Sequence, residues 1–153
     1  MKLLFLIPAL MVSLSQAKPP VEITGKVDSK SIIGKWQVMS YEYKYANDPT
    51  KDYMASRSDF ETMVKLKATY ELKTDGSAIQ SIGTWTQEYA YEVVNGQLKL
   101  YPCENLKAKE TCIMHSKKNK DYGDYQLKDE GNSITFHQKN EVFILDIHLV
   151  KIK

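Results

Sequence analysis

From about residue 32 to its end the chain alternates apolar and polar residues with a period of two, and short turn signals separate the runs. That period places successive side chains on opposite faces of a strand, one toward a core and one toward water. The cleanest run sets Val64, Leu66, Ala68, Tyr70 and Leu72 against Lys65, Lys67, Thr69, Glu71 and Lys73. Thr74-Asp75-Gly76 then supplies a turn, and Asn95-Gly96 is a type I′ hairpin signal between strand patterns at 85–94 and 97–101. Connections this short join antiparallel neighbours. Further strands are expected at 78–83, 112–116, 124–127, 134–138 and 142–152, with turns at 130–132 and 139–140. The pattern predicts an all-β fold, an antiparallel eight- to nine-stranded up-and-down barrel with no long helix. Closure removes the exposed edges such a sheet would otherwise carry.

The first strand run, 33–45, is ambiguous in its faces. Trp36, Val38, Ser40, Glu42 and Lys44 share one side, and Gln37, Met39, Tyr41, Tyr43 and Tyr45 share the other. Neither is wholly apolar, so either a bulge swaps the faces midway or a polar face lines a wet cavity. Asn47-Asp48-Pro49 breaks the run, and the stretch to Phe60 reads as a short helix, a lid or a plain surface connection.

Ahead of the strands, residues 1–17 carry Lys2, an apolar run from Leu3 to Leu14 and a small-x-small end at Ser15-Gln16-Ala17. This is the pattern of a cleavable secretory leader. Its apolar run is well short of the roughly 20 residues that span a bilayer, so no transmembrane span is expected. No Cys follows it to carry a lipid. Residues 18–31, with Pro19-Pro20 and Gly25, read as a flexible arm, and 32–153 as a single barrel domain. The chain's net charge is +2, and losing Lys2 with the leader leaves about +1. With no basic run longer than the tip at 117–120, nucleic acid is not an expected partner. A monomer is expected, and a protein partner stays open.

Cys103 and Cys112 are the only cysteines. In an exported chain an even, closely spaced pair suggests a disulfide, here expected to tie two neighbouring strands at the ends of a hairpin. The rival is a metal centre formed by both thiolates and His115, but a structural zinc site normally takes four ligands. No cofactor loop is present, and neither metal nor cofactor is expected. His115, His137 and His148 fall in separate predicted strands and read as isolated surface residues sooner than converging ligands. Glu42 and Asp146 are acids on partly apolar strand faces, able to fix a bound polar group if inward and of no such use if outward. No nucleophile with its base, and no carboxylate pair in contrasting environments, points to catalysis.

Gly34-x-Trp36 at the start of the first strand resembles the lipocalin signature. The resemblance implies that the Trp plugs the closed end of a barrel. Asp121-Tyr122-Gly123-Asp124-Tyr125 is similar to the Asp-Tyr motif that opens a later lipocalin strand. The run KTDGSAIQSIGTWTQEYAYEVVNGQLKLY is similar to bacterial lipocalin-like domains, with its Asp-Gly, Gly-x-Trp and closing Leu-x-Leu. The only arginine is Arg57, so the basic residue that packs over the tryptophan in many lipocalins falls to a lysine such as Lys139 or Lys151. The chain ends directly after a strand, so the family's C-terminal helix is not expected.

Trp36 and Trp85 then read as core plugs, with Gly34 as the third structural residue. The resemblance implies an exported carrier of a small apolar ligand held inside the barrel. Its expected walls are Val38, Val64, Leu66, Ala68, Tyr70, Leu98 and Phe143, and 47–60 is its expected gate. The alternative is a non-enzymatic interaction module, such as an inhibitor of a secreted enzyme, that uses loops on a filled barrel.

Overall fold

The computed structural model describes residues 29–55 and 57–153. The expected leader at 1–17 and nearly all of the arm at 18–31 lie outside the described residues. Eight strands follow in chain order: β1 (Gly34–Tyr45), β2 (Thr69–Leu72), β3 (Ser77–Ile82), β4 (Trp85–Val94), β5 (Gln97–Pro102), β6 (Gly123–Asp129), β7 (Ser133–Lys139) and β8 (Phe143–Ile152). Each pairs antiparallel with the next, and β8 returns to β1 to close the barrel. Asn95 and Gly96 both have positive φ, 54° and 77°, as the type I′ turn between β4 and β5 requires.

A bulge settles the faces of β1. The register against β8 slips between Val38 and Ser40, which leaves Met39 as the extra residue. Trp36 and Val38 point inward before the slip, and Tyr41 and Tyr43 pack on the same core after it. Glu42 is exposed, so the acid falls on the outer face.

Two expected strand stretches are helical instead. The run containing Val64 and Leu66 belongs to α1 (Arg57–Lys65) and the turn after it, and β2 begins only at Thr69. Phe60, Met63 and Val64 stand at i, i+3 and i+4, so a helix puts all three on one face, where they pack against the barrel core. Arg57 and Glu61 add an i,i+4 ion pair at 2.8 Å. Leu66 is left 48% exposed. The expected strand at 112–116 lies inside α2 (Lys109–Asn119), which ends at Lys120 in the left-handed region with its N–H donated to Ser116 O.

The Cys103–Cys112 disulfide is present, with the two Cα atoms 5.4 Å apart. It fastens the end of β5 to α2, so it does not link the two strands of a hairpin. Beneath α2 a second small core forms on the outer face of the barrel: Ala90, Tyr101 and Cys103 are buried there, with Leu106, Cys112, Ile113 and Tyr122 packed against them.

The β2–β3, β4–β5 and β6–β7 turns share one end of the barrel, and that end is sealed. Trp36 is fully buried and its Nε1 donates to Ile32 O at 2.7 Å. Lys151 supplies the covering cation, with Nζ 5.2 Å from the centroid of the Trp36 ring; Lys139 does not. Gly34 sits at φ +134°, a backbone conformation that requires glycine, and a Cβ there would lie 2.8 Å from Lys151 Cε, so the lysine stem would have to shift to admit one. Above the plug, Leu72, Leu98, Ile134, Phe136 and Leu149 fill the interior. Trp85 corrects the expectation of a second plug. It opens β4 opposite Ile82 at the other end of the barrel, where the wall stops short of covering it, and it is 50% exposed.

Candidate functional site

The interior is not filled to its far end. Between α1 and the connection from α2 to β6 a cleft of about 380 Å³ enters the barrel. Phe60 and Met63 from α1, Leu100 from β5 and Ile147 from β8 supply apolar wall. Tyr70 from β2, Gln80 from β3, Tyr89 from β4 and Tyr125 from β6 supply polar groups, and Lys120 and Asp121 lie at the connection that borders the cleft. Cross-strand register explains the grouping. Tyr70 is opposite Gln80 on β2 and β3, and directly paired residues present their side chains on one face.

Gln80 links two of the phenols. Its Nε2 donates to Tyr70 Oη at 2.7 Å, and Tyr89 Oη donates to its Oε1 at 2.9 Å. The rings of Tyr70 and Tyr125 both pack on Phe136, at 5.4 and 5.5 Å between centroids. Tyr125 folds back beneath Gly123, where an added Cβ would come within 2.6 Å of the ring. Burial raises all three phenols above their ordinary range, and Tyr89 is pushed up to about 12, mainly by desolvation and secondarily by the neighbouring Tyr125. They are therefore uncharged hydrogen-bonding groups at any physiological pH.

The mouth is partly covered by an aromatic cluster. Tyr43 meets Tyr53, Phe60 and Phe143 at centroid distances of 4.8, 5.1 and 5.1 Å. The loop before α1 is tied down by Tyr53 N donating to Tyr43 O at 2.7 Å, and by the Lys44–Asp52 ion pair at 2.6 Å. The expected gate at 47–60 thus contains both this tethered loop and the start of α1.

Of the seven expected walls, Tyr70 alone lines the cleft. Val38, Ala68 and Leu98 are buried in the packed core. Val64 packs from α1 onto that core, Phe143 sits in the aromatic cluster, and Leu66 is on the surface. Gln80, Tyr89, Tyr125, Phe60 and Met63 are site residues that the sequence reading missed. The available signal was Gln80, a polar residue in phase with the inward Ala78 and Ile82 of the same strand.

The histidines do not converge. His137 Nδ1 lies 2.7 Å from Asp146 Oδ1, His148 Nδ1 lies 2.9 Å from Thr135 Oγ1, and His115 contacts Asn119 on α2. Asp146 pairs across the barrel wall with the exposed Glu42, on the outer face. No three His, Cys, Asp or Glu side chains gather to hold a metal among the described residues. A wider depression of about 690 Å³ lies at the sealed end beside Ser29, Lys30 and Ile33; its one phenol, Tyr91, already donates to Lys73 O at 2.7 Å.

No protein-family model and no curated protein sequence matches the chain. Among solved structures, a lipocalin-like protein from Bacteroides uniformis is similar at 12% identity and a TM-score of 0.46, over 80% of this chain and 99% of that one. An uncharacterized protein from Bacteroides eggerthii has the same identity and score, over 78% and 98%. At this distance the likeness says nothing of a ligand. The closed eight-stranded barrel itself stands on the strand order of this chain.

Proposed function

We propose that the protein is an exported, non-enzymatic binding protein that holds a small, mostly apolar molecule in the cleft at the open end of its barrel. The observation that carries this reading is the cleft itself, about 380 Å³ with apolar walls and a few inward polar groups. Ligand sites commonly have that size and make-up, and burial of apolar surface supplies the driving force. A disulfide is consistent with an extracellular or periplasmic location. No helix among the described residues is long and apolar enough to cross a membrane. Native mass spectrometry of protein purified from its own source tests the reading. A small molecule travelling with the folded protein is the expected result.

One observation favours a second reading. The sealed half of the barrel is packed solid, while Leu66 and Trp85 stand exposed at the open rim, with Leu66 Cδ1 3.4 Å from where a Gly83 Cβ would be. An interaction module would use such a rim on a rigid scaffold. Failure to find any bound molecule, or any uptake of an apolar probe, would leave that reading in place.

A further inference from the structure

Two phenol protons on the strands that line the cleft have no acceptor among the described residues. A primary amide offers one donor end and one acceptor end, so the Gln80 bridge spends the proton of one tyrosine and leaves that of the other, whichever way the amide faces. Tyr125 lines the same cleft and its hydroxyl has no hydrogen-bond partner among the described residues. Tyr125 is half-buried and its hydroxyl opens onto the cleft, where a ligand oxygen entering in place of water would accept its proton.

The charge of the lining restricts what that oxygen can belong to. Among the described residues, Lys120 and Asp121 are the only charged ones lining the cleft; they are adjacent in the chain and opposite in sign. The strand residues of the cleft, Tyr70, Gln80, Tyr89, Leu100, Tyr125 and Ile147, carry no cation. A carboxylate drawn in among them would lose its hydration without gaining a counter-charge. A carbonyl oxygen is far cheaper to desolvate and has two lone pairs for two phenol protons.

We propose that the cleft selects uncharged, largely apolar molecules bearing a carbonyl-type acceptor oxygen, of the ketone, ester or quinone class, bound oxygen-first against Tyr125 and the Tyr70–Gln80–Tyr89 bridge. This rests on the carrier reading and narrows it, because a free fatty acid becomes a poor ligand.

Three fluorescent probes of one ring system test it at neutral pH: the naphthyl ketone Prodan, the corresponding dimethylamino-naphthoate, and unsubstituted naphthalene. The wild-type protein is expected to bind the ketone about tenfold more tightly than the carboxylate. Tyr125→Phe, which keeps the ring packed on Phe136, is expected to weaken the ketone by roughly three- to tenfold, the loss of one ordinary hydrogen bond. Naphthalene should bind both proteins alike. A carboxylate bound as tightly as the ketone overturns the proposal, as does an unchanged ketone affinity in a folded Tyr125→Phe. In either case naphthalene uptake keeps the carrier reading. No binding of any probe by the wild-type protein overturns both. The ketone-to-carboxylate ratio is read on the wild-type protein, so the test survives a variant that fails to fold.

Discussion

Lys151 and Trp36 are directly paired across β1 and β8, and the lysine ammonium lies 5.2 Å from the centre of the indole it covers. The pairing puts both side chains on the same face, so the lysine stem crosses the sealed end of the barrel as its outermost layer. The two groups should contribute unequally. Trp36 is fully buried with its N–H satisfied, and Trp36→Ala is expected to cost on the order of 3 to 5 kcal/mol. Lys151→Met keeps most of the stem and removes the charge, which should cost about 0.5 to 1 kcal/mol. Chemical denaturation of both variants checks the ratio, and a Lys151→Met variant of wild-type stability would mean that the cation is not held over the ring.

Gly34→Ala should be worse than its size suggests. The backbone stands at φ +134°, and the new methyl would meet Lys151 Cε at 2.8 Å. A loss of about 1 to 3 kcal/mol is expected from backbone strain. Adding Lys151→Ala removes the clash but leaves the strain, so the double variant should recover only part of the loss in a thermal melt.

The disulfide closes a short loop, since Cys103 and Cys112 are nine positions apart. The chain-entropy model gives such a loop about 2.5 to 3 kcal/mol. Because α2 rests on the small outer core through Cys112 and Ile113, with Tyr122 packed there just beyond its end, reduction should loosen α2 before the strands. Hydrogen exchange after reduction is expected to show lost protection at 109–119 with β7 and β8 unchanged. Uniform loss across the barrel would contradict the separation of the two cores.

Ala68→Phe probes packing and not the cleft. Ala68 is fully buried, and its backbone donates to Met63 O and accepts from Val38 N, both at 2.8 Å, where α1 meets β1. Overpacking there should cost about 1 to 3 kcal/mol. Probe affinity in the fraction that remains folded should not change. A variant of wild-type stability would show free space at that junction.

Alkaline pH should unfold the barrel through its phenols. Tyr70, Tyr89 and Tyr125 all ionise above the ordinary 10.0, and Tyr89 is pushed up to about 12. The unfolded chain therefore loses these protons first. Their contribution is fully present below pH 10 and is lost as pH rises through the folded values, at about 1.4 kcal/mol per pH unit for each phenol. Burial also raises Tyr43, Tyr91 and Tyr101, so phenolate absorbance during a pH titration should show a late group of six among the 10 tyrosines ionising with unfolding. A single titration step in a folded protein would count against the buried cleft.

The strands of the second half of the chain were legible because their inward positions alternate strictly between clear turns, as Ile134 and Phe136 do on β7 and Leu145, Ile147 and Leu149 on β8. Gly34-x-Trp36 was legible because plug and glycine are local to one strand end. The helices were not. In α1 the apolar positions Phe60, Met63 and Val64 overlap a run that also alternates, and only the tertiary face chooses between the two periods. In α2 there is no apolar stripe to read: Cys112 and Ile113 make the contact, and a covalent bond holds what amphipathicity does not. The cleft was misplaced because an alternating pattern says which residues point inward and not where along the barrel the packing stops.

The surplus residue at Met39 gives β1 a property that the other strands lack, a length that can change by one codon. Removing Met39 would restore plain alternation through Trp36, Val38, Tyr41 and Tyr43, with every inward residue still inward. The pairing of β8 with β7 contains no such slip, so the loss of one codon within β8 would turn all the residues beyond it inside out. Small deletions in related genes should therefore collect near Met39 and be purged from the closing strand.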